Sequence, residues 1–235
     1  MNSDQSRCSA CSFGDLCLPS GSDDLTLGKL DALLETTDGI AVGRDVVMRG
    51  DAFAGLLAVR SGCFKSYTLD RDGNEQVQGF HFPGEIIGMD AINSHKHRAN
   101  VQALSDASLC EFDYQSLLEL SACSSGLQQQ LFRLFSGKLA GQHWRTMDFT
   151  ASERLAAFFL DISERLNQRG MDGHDFELAM SRSDIGNYLS LATETVSRVV
   201  TKFKVARLLQ VDRKRVKVLD VEGLRHIAQP VFDAN

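Results

Sequence analysis

At 235 residues the chain is long enough for two compact domains, and its 43% hydrophobic share is that of an ordinary globular protein. Met1 to Ala10 is polar and no run of about 18 apolar residues occurs, so export and membrane insertion are not expected and the cytoplasm is the predicted compartment. The net charge of -6 is unevenly spread: residues 181–219 hold nine Lys and Arg against three acids, a local +6 that leaves -12 for the rest. A basic segment on an acidic body is the footprint of a DNA-reading domain joined to something that is not one.

In chain order, the cysteine-bearing start leads to a Ser/Gly/Asp linker at Ser20 to Asp24. Leu27, Leu30, Leu33 and Leu34 then carry helical spacing. From about Ile40 to Phe112 the apolar runs are brief: Leu56 to Val59, Phe64 to Leu69, Val77 to Phe82, Val101 to Leu104 and Ser108 to Phe112. Glycines separate them. This predicts short antiparallel strands, with Asp72-Gly73 as a hairpin tip, closing into a small β-roll or barrel. Beyond Tyr114 the helical period returns through Leu117, Leu118 and Leu120, then Leu127, Leu131, Leu134, Phe135 and Leu139, a long helix reaching Trp144. Thr150 to Glu153 fits a capping box for a further helix, which presents Leu155, Phe158, Phe159, Ile162 and Leu166 on one face and stops at Gly170.

Residues 182–203 fall on the spacing of a helix-turn-helix. Ile185, Leu189, Leu191, Val196 and Val199 take the apolar places, Gly186 the close approach, and Ser190 the turn slot where glycine is common. With Thr193 as the cap of the second helix, Thr193, Glu194, Ser197 and Arg198 point outward, at positions that enter a major groove. Arg198 suits guanine O6 and N7, Glu194 suits cytosine N4, and Ser197 supplements either. Lys202, Lys204 and Arg207 follow as phosphate contacts. Leu208 to Leu219 reads as a wing around the basic turn Asp212 to Arg215, where Lys214 also meets phosphate.

Six cysteines without an export signal are not a disulfide framework, because the cytosol keeps thiols reduced. Cys8, Cys11 and Cys17 give C-x2-C-x5-C, and Cys110 lies in a predicted strand. Three close thiolates and one distant one satisfy either an iron-sulfur or a zinc site. Cys63 and Cys123 have no partner at ligand spacing and read as ordinary thiols.

The sequence resembles the FNR branch of the CRP/FNR superfamily of bacterial transcription regulators over nearly its whole length. The resemblance is carried by CSACSFGDLCLP (Cys8 to Pro19), by VRSGCFKSYTLDRDGNEQVQGFHFPGEIIGMDAI (Val59 to Ile92) and by LCEF around Cys110. ERLAAFFLDISERLNQRG and MSRSDIGNYLSLATETVSRVV, with E-x-x-S-R at Glu194, Ser197 and Arg198, complete it. It implies an α+β fold: an N-terminal antiparallel β-roll like a cyclic-nucleotide-binding domain, a long dimerisation helix and a C-terminal winged helix-turn-helix. The expected divisions are a cluster-binding arm at 1–24, the β-roll at 25–122, the dimerisation helix at 123–149 and the DNA-binding domain at 150–235. It further implies a [4Fe-4S] cluster on Cys8, Cys11, Cys17 and Cys110, an oxygen-responsive homodimeric activator on palindromic TTGAT-type DNA, and RNA polymerase as partner. Nitric oxide or general redox sensing with the same cysteines, or a zinc-stabilised DNA-binding module, are the alternatives.

Two departures stand out. Gly137 to Ser152 is shorter and more polar than the dimerisation helix of close relatives, with Gln142, His143, Arg145 and Asp148 among its residues. The cyclic-nucleotide pocket is poorly matched, since Met89-Asp90 follow Gly88 and Ala99 follows Arg98 where a phosphate-binding hydroxyl would stand, so no cyclic nucleotide is expected. His95 and His97 read as a solvated loop, and His81 as a core or edge histidine. No nucleophile elbow, Walker loop or paired carboxylate site occurs, so an enzyme is not expected.

Overall fold

The computed structural model describes residues 7–140 and 149–233. They form two compact units, Met1–Lys138 and Leu139–Asn235. Among the described residues no helix is long and apolar enough to cross a membrane.

The first unit opens on a cysteine-bearing arm and α1 (Asp24–Leu33), whose first turn is closed by Asp23 accepting from the Thr26 amide at 2.8 Å. Eight strands follow: β1 (Leu34–Ile40), β2 (Asp45–Val47), β3 (Gly55–Ser61), β4 (Phe64–Leu69), β5 (Glu75–His81), β6 (Ile86–Ile87), β7 (Asn100–Ala103) and β8 (Ala107–Asp113). They pair antiparallel in two four-stranded sheets, β1-β8-β3-β6 and β2-β7-β4-β5. The β4–β5 hairpin closes where expected, with the Asp70 carboxylate accepting from the amides of Asp72 and Asn74 at 2.8 and 2.9 Å and Gly73 at positive φ.

Side-chain alternation on β3 and β8 decides which face of the sheet carries Cys110. Val59 and Leu109 face Ile40, Phe64, Ile87 and Val101 in the core between the sheets. Their neighbours Ala58 and Phe112 face the other way, against Leu18, Leu30, Leu117, Leu120 and Leu127. Each fully buried Phe or Leu here contributes about 1.5–3 kcal/mol, so both layers hold the sheet from opposite faces. Cys110, two residues before Phe112, shares the arm-side face. The expected helical stretch after Tyr114 is two helices, α2 (Tyr114–Ala122) and α3 (Ser125–Ala140), divided at Cys123 and Ser124. Its continuation to Trp144, and the polar residues Gln142, His143, Arg145 and Asp148, lie outside the described residues.

The second unit begins with α4 (Ala151–Asn167), whose Thr150–Glu153 capping box is formed in both directions and whose inner face is Leu155, Phe158, Phe159, Ile162 and Leu166. Gly170 turns the chain at positive φ. There follow β9 (Asp175–Glu177), α5 (Arg182–Leu189), α6 (Thr193–Val205), β10 (Leu209–Asp212), β11 (Arg215–Val218) and α7 (Val221–Asp233), the strands forming a sheet in the order β10-β11-β9.

Candidate functional site

The arm is built from one-residue-after-another tight turns. The amides of Cys11, Gly14 and Cys17 donate to the carbonyls of Cys8, Cys11 and Gly14 at 3.1–3.2 Å, which curls C-x2-C-x5-C instead of extending it. Asp31 of α1 fastens the front end, accepting from the Cys8 amide and, at 2.8 Å, from the Ser9 hydroxyl. Under the middle lies Gly84, at φ +86°, where a Cβ would stand 3.2 and 3.3 Å from the Cβ atoms of Leu16 and Phe13. Only glycine both adopts that φ and lets the arm sit this low. At the rear, the Gln130 amide donates to the Cys17 carbonyl at 2.9 Å.

The result is a pocket, partly open to solvent, lined by Cys8, Cys11, Cys17 and Cys110, with Phe13, Ala58 and Phe112 among its apolar walls and Arg7 and Arg60 as its charged ones. Burial pushes the Cys8 thiol well above its ordinary range, with Cys17 and Asp31 adding to the rise. It pushes Cys17 up to about 12 and Cys110 up to about 11, against the pull of Arg60 at Cys110. Four thiolates can be held this close only with cationic charge among them. The all-sulfur donor set suits iron-sulfur or zinc chemistry. One zinc ion would draw four sulfurs to about 2.3 Å from a single point. Among the described residues no three His, Cys, Asp or Glu side chains form a group that could hold a metal ion. Cys63 is buried in the β-roll and Cys123 is exposed at the end of α2.

The second surface is α5–α6. Ser190 carries the turn in the left-handed conformation, φ 56° and ψ 44°, at the cost foreseen for a residue with a Cβ. Gly186 fills the close approach, since a Cβ there would lie 2.7 Å from the Leu191 carbonyl oxygen. The expected cap is corrected by one position: Ala192 is the N-cap, with no side-chain cap bond, and Thr193 is the first helical residue. Thr193 still lies on the outer side. Val196, Val199, Val200 and Phe203 are buried, whereas Thr193, Glu194, Ser197 and Arg198 are exposed together with Lys202, Lys204 and Arg207. Lys214 is exposed in the β10–β11 turn, and Arg215 makes a two-pronged pair with Asp175 of β9 at 2.7 and 3.1 Å.

Residues 153–227 match the Crp-like helix-turn-helix domain family, and residues 41–122 the cyclic nucleotide-binding domain family. The chain is 38% identical over 225 residues to the fumarate and nitrate reduction regulatory proteins of Yersinia pestis and of Escherichia coli K12, covering 94% of this chain and 90% of each relative. This chain belongs to the CRP/FNR family of transcription regulators. Among solved structures of the family's fold, FixK2 from Bradyrhizobium japonicum superposes with a TM-score of 0.75 at 25% identity, covering 83% of this chain and 96% of that one. CRP/FNR membership makes this protein a DNA-binding transcription regulator, and its relatives are regulators, not enzymes.

Against this CRP/FNR frame, the four expected cysteines line one cavity and the expected DNA-facing residues lie on the exposed sides of α6 and the wing. His97 departs from expectation: it is buried, its ring 5.7 Å from that of Phe53, and does not sit in a solvated loop. His81 is a buried histidine bonded to the Ser66 hydroxyl at 3.1 Å. Asp31, Gly84 and Gln130, which shape the arm's seat, escaped sequence reading because none sits at a recognisable distance from the cysteines it serves.

Proposed function

We propose that this CRP/FNR-family protein is an oxygen-responsive activator acting in the cytoplasm, in which Cys8, Cys11, Cys17 and Cys110 hold a [4Fe-4S] cluster and a homodimer binds palindromic TTGAT-type DNA. The observation that carries this reading is the meeting of three arm cysteines with Cys110 of β8 around one cavity. When bound, the cluster supplies an oxygen-labile tie between the arm and the β-roll. The chain's own residues prepare for it: Asp31 and Gln130 hold the arm's backbone, Arg7 and Arg60 offset negative charge, and Phe13 and Phe112 restrict water.

In the DNA-binding domain, Arg198 reads guanine and Glu194 cytosine, with Thr193 and Ser197 beside them. Lys202, Lys204, Arg207 and Lys214 grip phosphates, fixing register without reading sequence. A palindromic site requires two recognition helices about one DNA turn apart, roughly 34 Å, hence the dimer. RNA polymerase is the proposed partner at promoters. No cyclic nucleotide is assigned, since the Arg98 amide donates to Asp90 and Ala99 offers no hydroxyl.

The test is anaerobic purification followed by iron and sulfide analysis. Equal iron and sulfide, filling one cluster per chain and lost in air, is expected. A colourless protein carrying zinc would replace this reading with that of a zinc-stabilised module.

A further inference from the structure

The buried face of α3 runs through Leu127, Gln130, Leu134 and Lys138, and Gln130 is the odd member. It is only 5% exposed, in a stripe whose other early position, Leu127, is wholly buried. A buried primary amide without partners is costly, so its presence needs a reason. Its Nε2 donates to the carbonyl oxygen of Cys17 at 2.9 Å, across 113 positions of sequence. The carbonyl can only accept, so the nitrogen of the amide must face it. That oxygen also receives the Ser20 amide at 3.3 Å, and both its lone pairs are thereby used. Leu127, one turn earlier, packs in the same apolar cluster as Cys17 and Leu18.

We infer that Gln130 is a positioning residue that ties the last arm cysteine to α3, so that order in the arm is transmitted to this helix through one buried hydrogen bond. The inference rests on the cluster reading above. A side chain that holds the Cys17 carbonyl is satisfied only when the arm occupies its seat. Whatever fixes Cys17 then also favours the α3 arrangement that keeps Gln130 facing it, and by reciprocity α3 favours the seated arm to the same degree. Asp31 grips the other end of the arm from α1, a helix whose own tie toward α3 is the Thr26 hydroxyl donating to Ser124 at 3.1 Å and involves no cysteine. Loss of Asp31 should therefore loosen the arm without separating it from α3.

The experiment compares unsubstituted protein with Gln130→Met, which keeps the length and apolar stem but removes the donor, and with Gln130→Glu, which replaces the donor by an acceptor. Iron and sulfide content is measured after anaerobic loading. Dimer dissociation constants are then measured by sedimentation with and without the cluster. Both variants keep all four thiols and should still take up iron, but should hold the cluster less tightly by the same factor, as reciprocity requires, so the comparison is made on fully loaded protein. The factor by which loading tightens the dimer should fall by about two- to tenfold, the range of one neutral hydrogen bond. In unsubstituted protein, loading should also slow amide exchange in α3 around Gln130, a reading that needs no variant to fold. An unchanged coupling factor in a folded variant, or α3 exchange indifferent to loading, overturns the inference while leaving the cluster intact. Unsubstituted protein that takes up no iron overturns the inference together with the reading it rests on.

Discussion

The two ends of this molecule assemble their working surfaces in opposite ways. The DNA-facing surface comes almost entirely from one contiguous stretch, α5 to β11, in which helix periodicity alone decides what is buried and what is presented. Val196, Val199 and Phe203 go inward, so Glu194, Ser197 and Arg198 must go outward. The cysteine cavity is gathered from residues about a hundred positions apart, and its geometry depends on a strand's alternation, a helix carboxylate, a glycine turn and a buried glutamine. A local surface tolerates the loss of one contact. A site whose side chains come from two distant segments does not, because each segment holds the other in place.

The sharpest way to break that contrast is at Cys110. Cys110→Ser should abolish the cluster, a loss exceeding the roughly 10–100-fold that removal of a supporting group costs, whereas Cys63→Ser and Cys123→Ser should keep full iron content. Iron analysis of the three proteins decides it, and a fully loaded Cys110→Ser protein would remove β8 from the site. On the DNA side the expected effects are graded. Arg198→Ala should lose about 1–3 kcal/mol of specific affinity per half-site and relax preference at one base pair. Lys202→Ala and Lys214→Ala should weaken specific and scrambled DNA alike and flatten the salt dependence by about one phosphate contact each. Titrations on both DNAs at several salt concentrations separate the roles, and equal weakening by Arg198→Ala would make it a phosphate contact.

Smaller effects refine the same comparison. Ser190 holds a left-handed turn that glycine adopts freely, so Ser190→Gly should stabilise the second unit by about 0.5–1 kcal/mol, the relief of strain outweighing the looser unfolded chain. A shift of the urea midpoint to higher concentration checks this, and a fall would mean that the Ser190 side chain contributes in another way. Smallest is the Asp175–Arg215 pair that joins β9 to the wing. Arg215 holds the Asp175 carboxyl below the usual aspartate range. Its contribution is therefore complete above the unfolded value, near about 3.9, and is lost as pH falls through the lower folded value. Asp175→Asn should lower the urea midpoint slightly at neutral pH and make no difference in strong acid. Because the pair is exposed, a large effect at neutral pH would contradict this account.

What was legible in the sequence follows the same division. The β3, β4, β5, β7 and β8 strands, the hairpin at Gly73, the Thr150 capping box and the helix-turn-helix all announce themselves through spacing over a few residues. Strand β1 did not, because Leu34–Ile40 reads LETTDGI, a mostly exposed run with little alternation. The strands β2, β6 and β9 are too short to carry a period. Thr193 looked like the cap because threonine favours that position, yet Ala192 takes it without a side-chain bond. In the first unit the cysteine spacing was readable, but the seat was not. Asp31 and Gln130 are ordinary polar residues until the fold brings them to the arm, and His97, in a polar stretch of sequence, is buried by Phe53, which lies 44 positions earlier in the chain.

The most direct test of the account follows colour and DNA affinity in one anaerobic sample during admission of air. The account predicts that cluster absorbance and specific binding to a palindromic TTGAT-type site decline together, while binding to scrambled DNA persists. Specific affinity that survives complete loss of the cluster, or a protein that binds the site with zinc in place of iron, would contradict it.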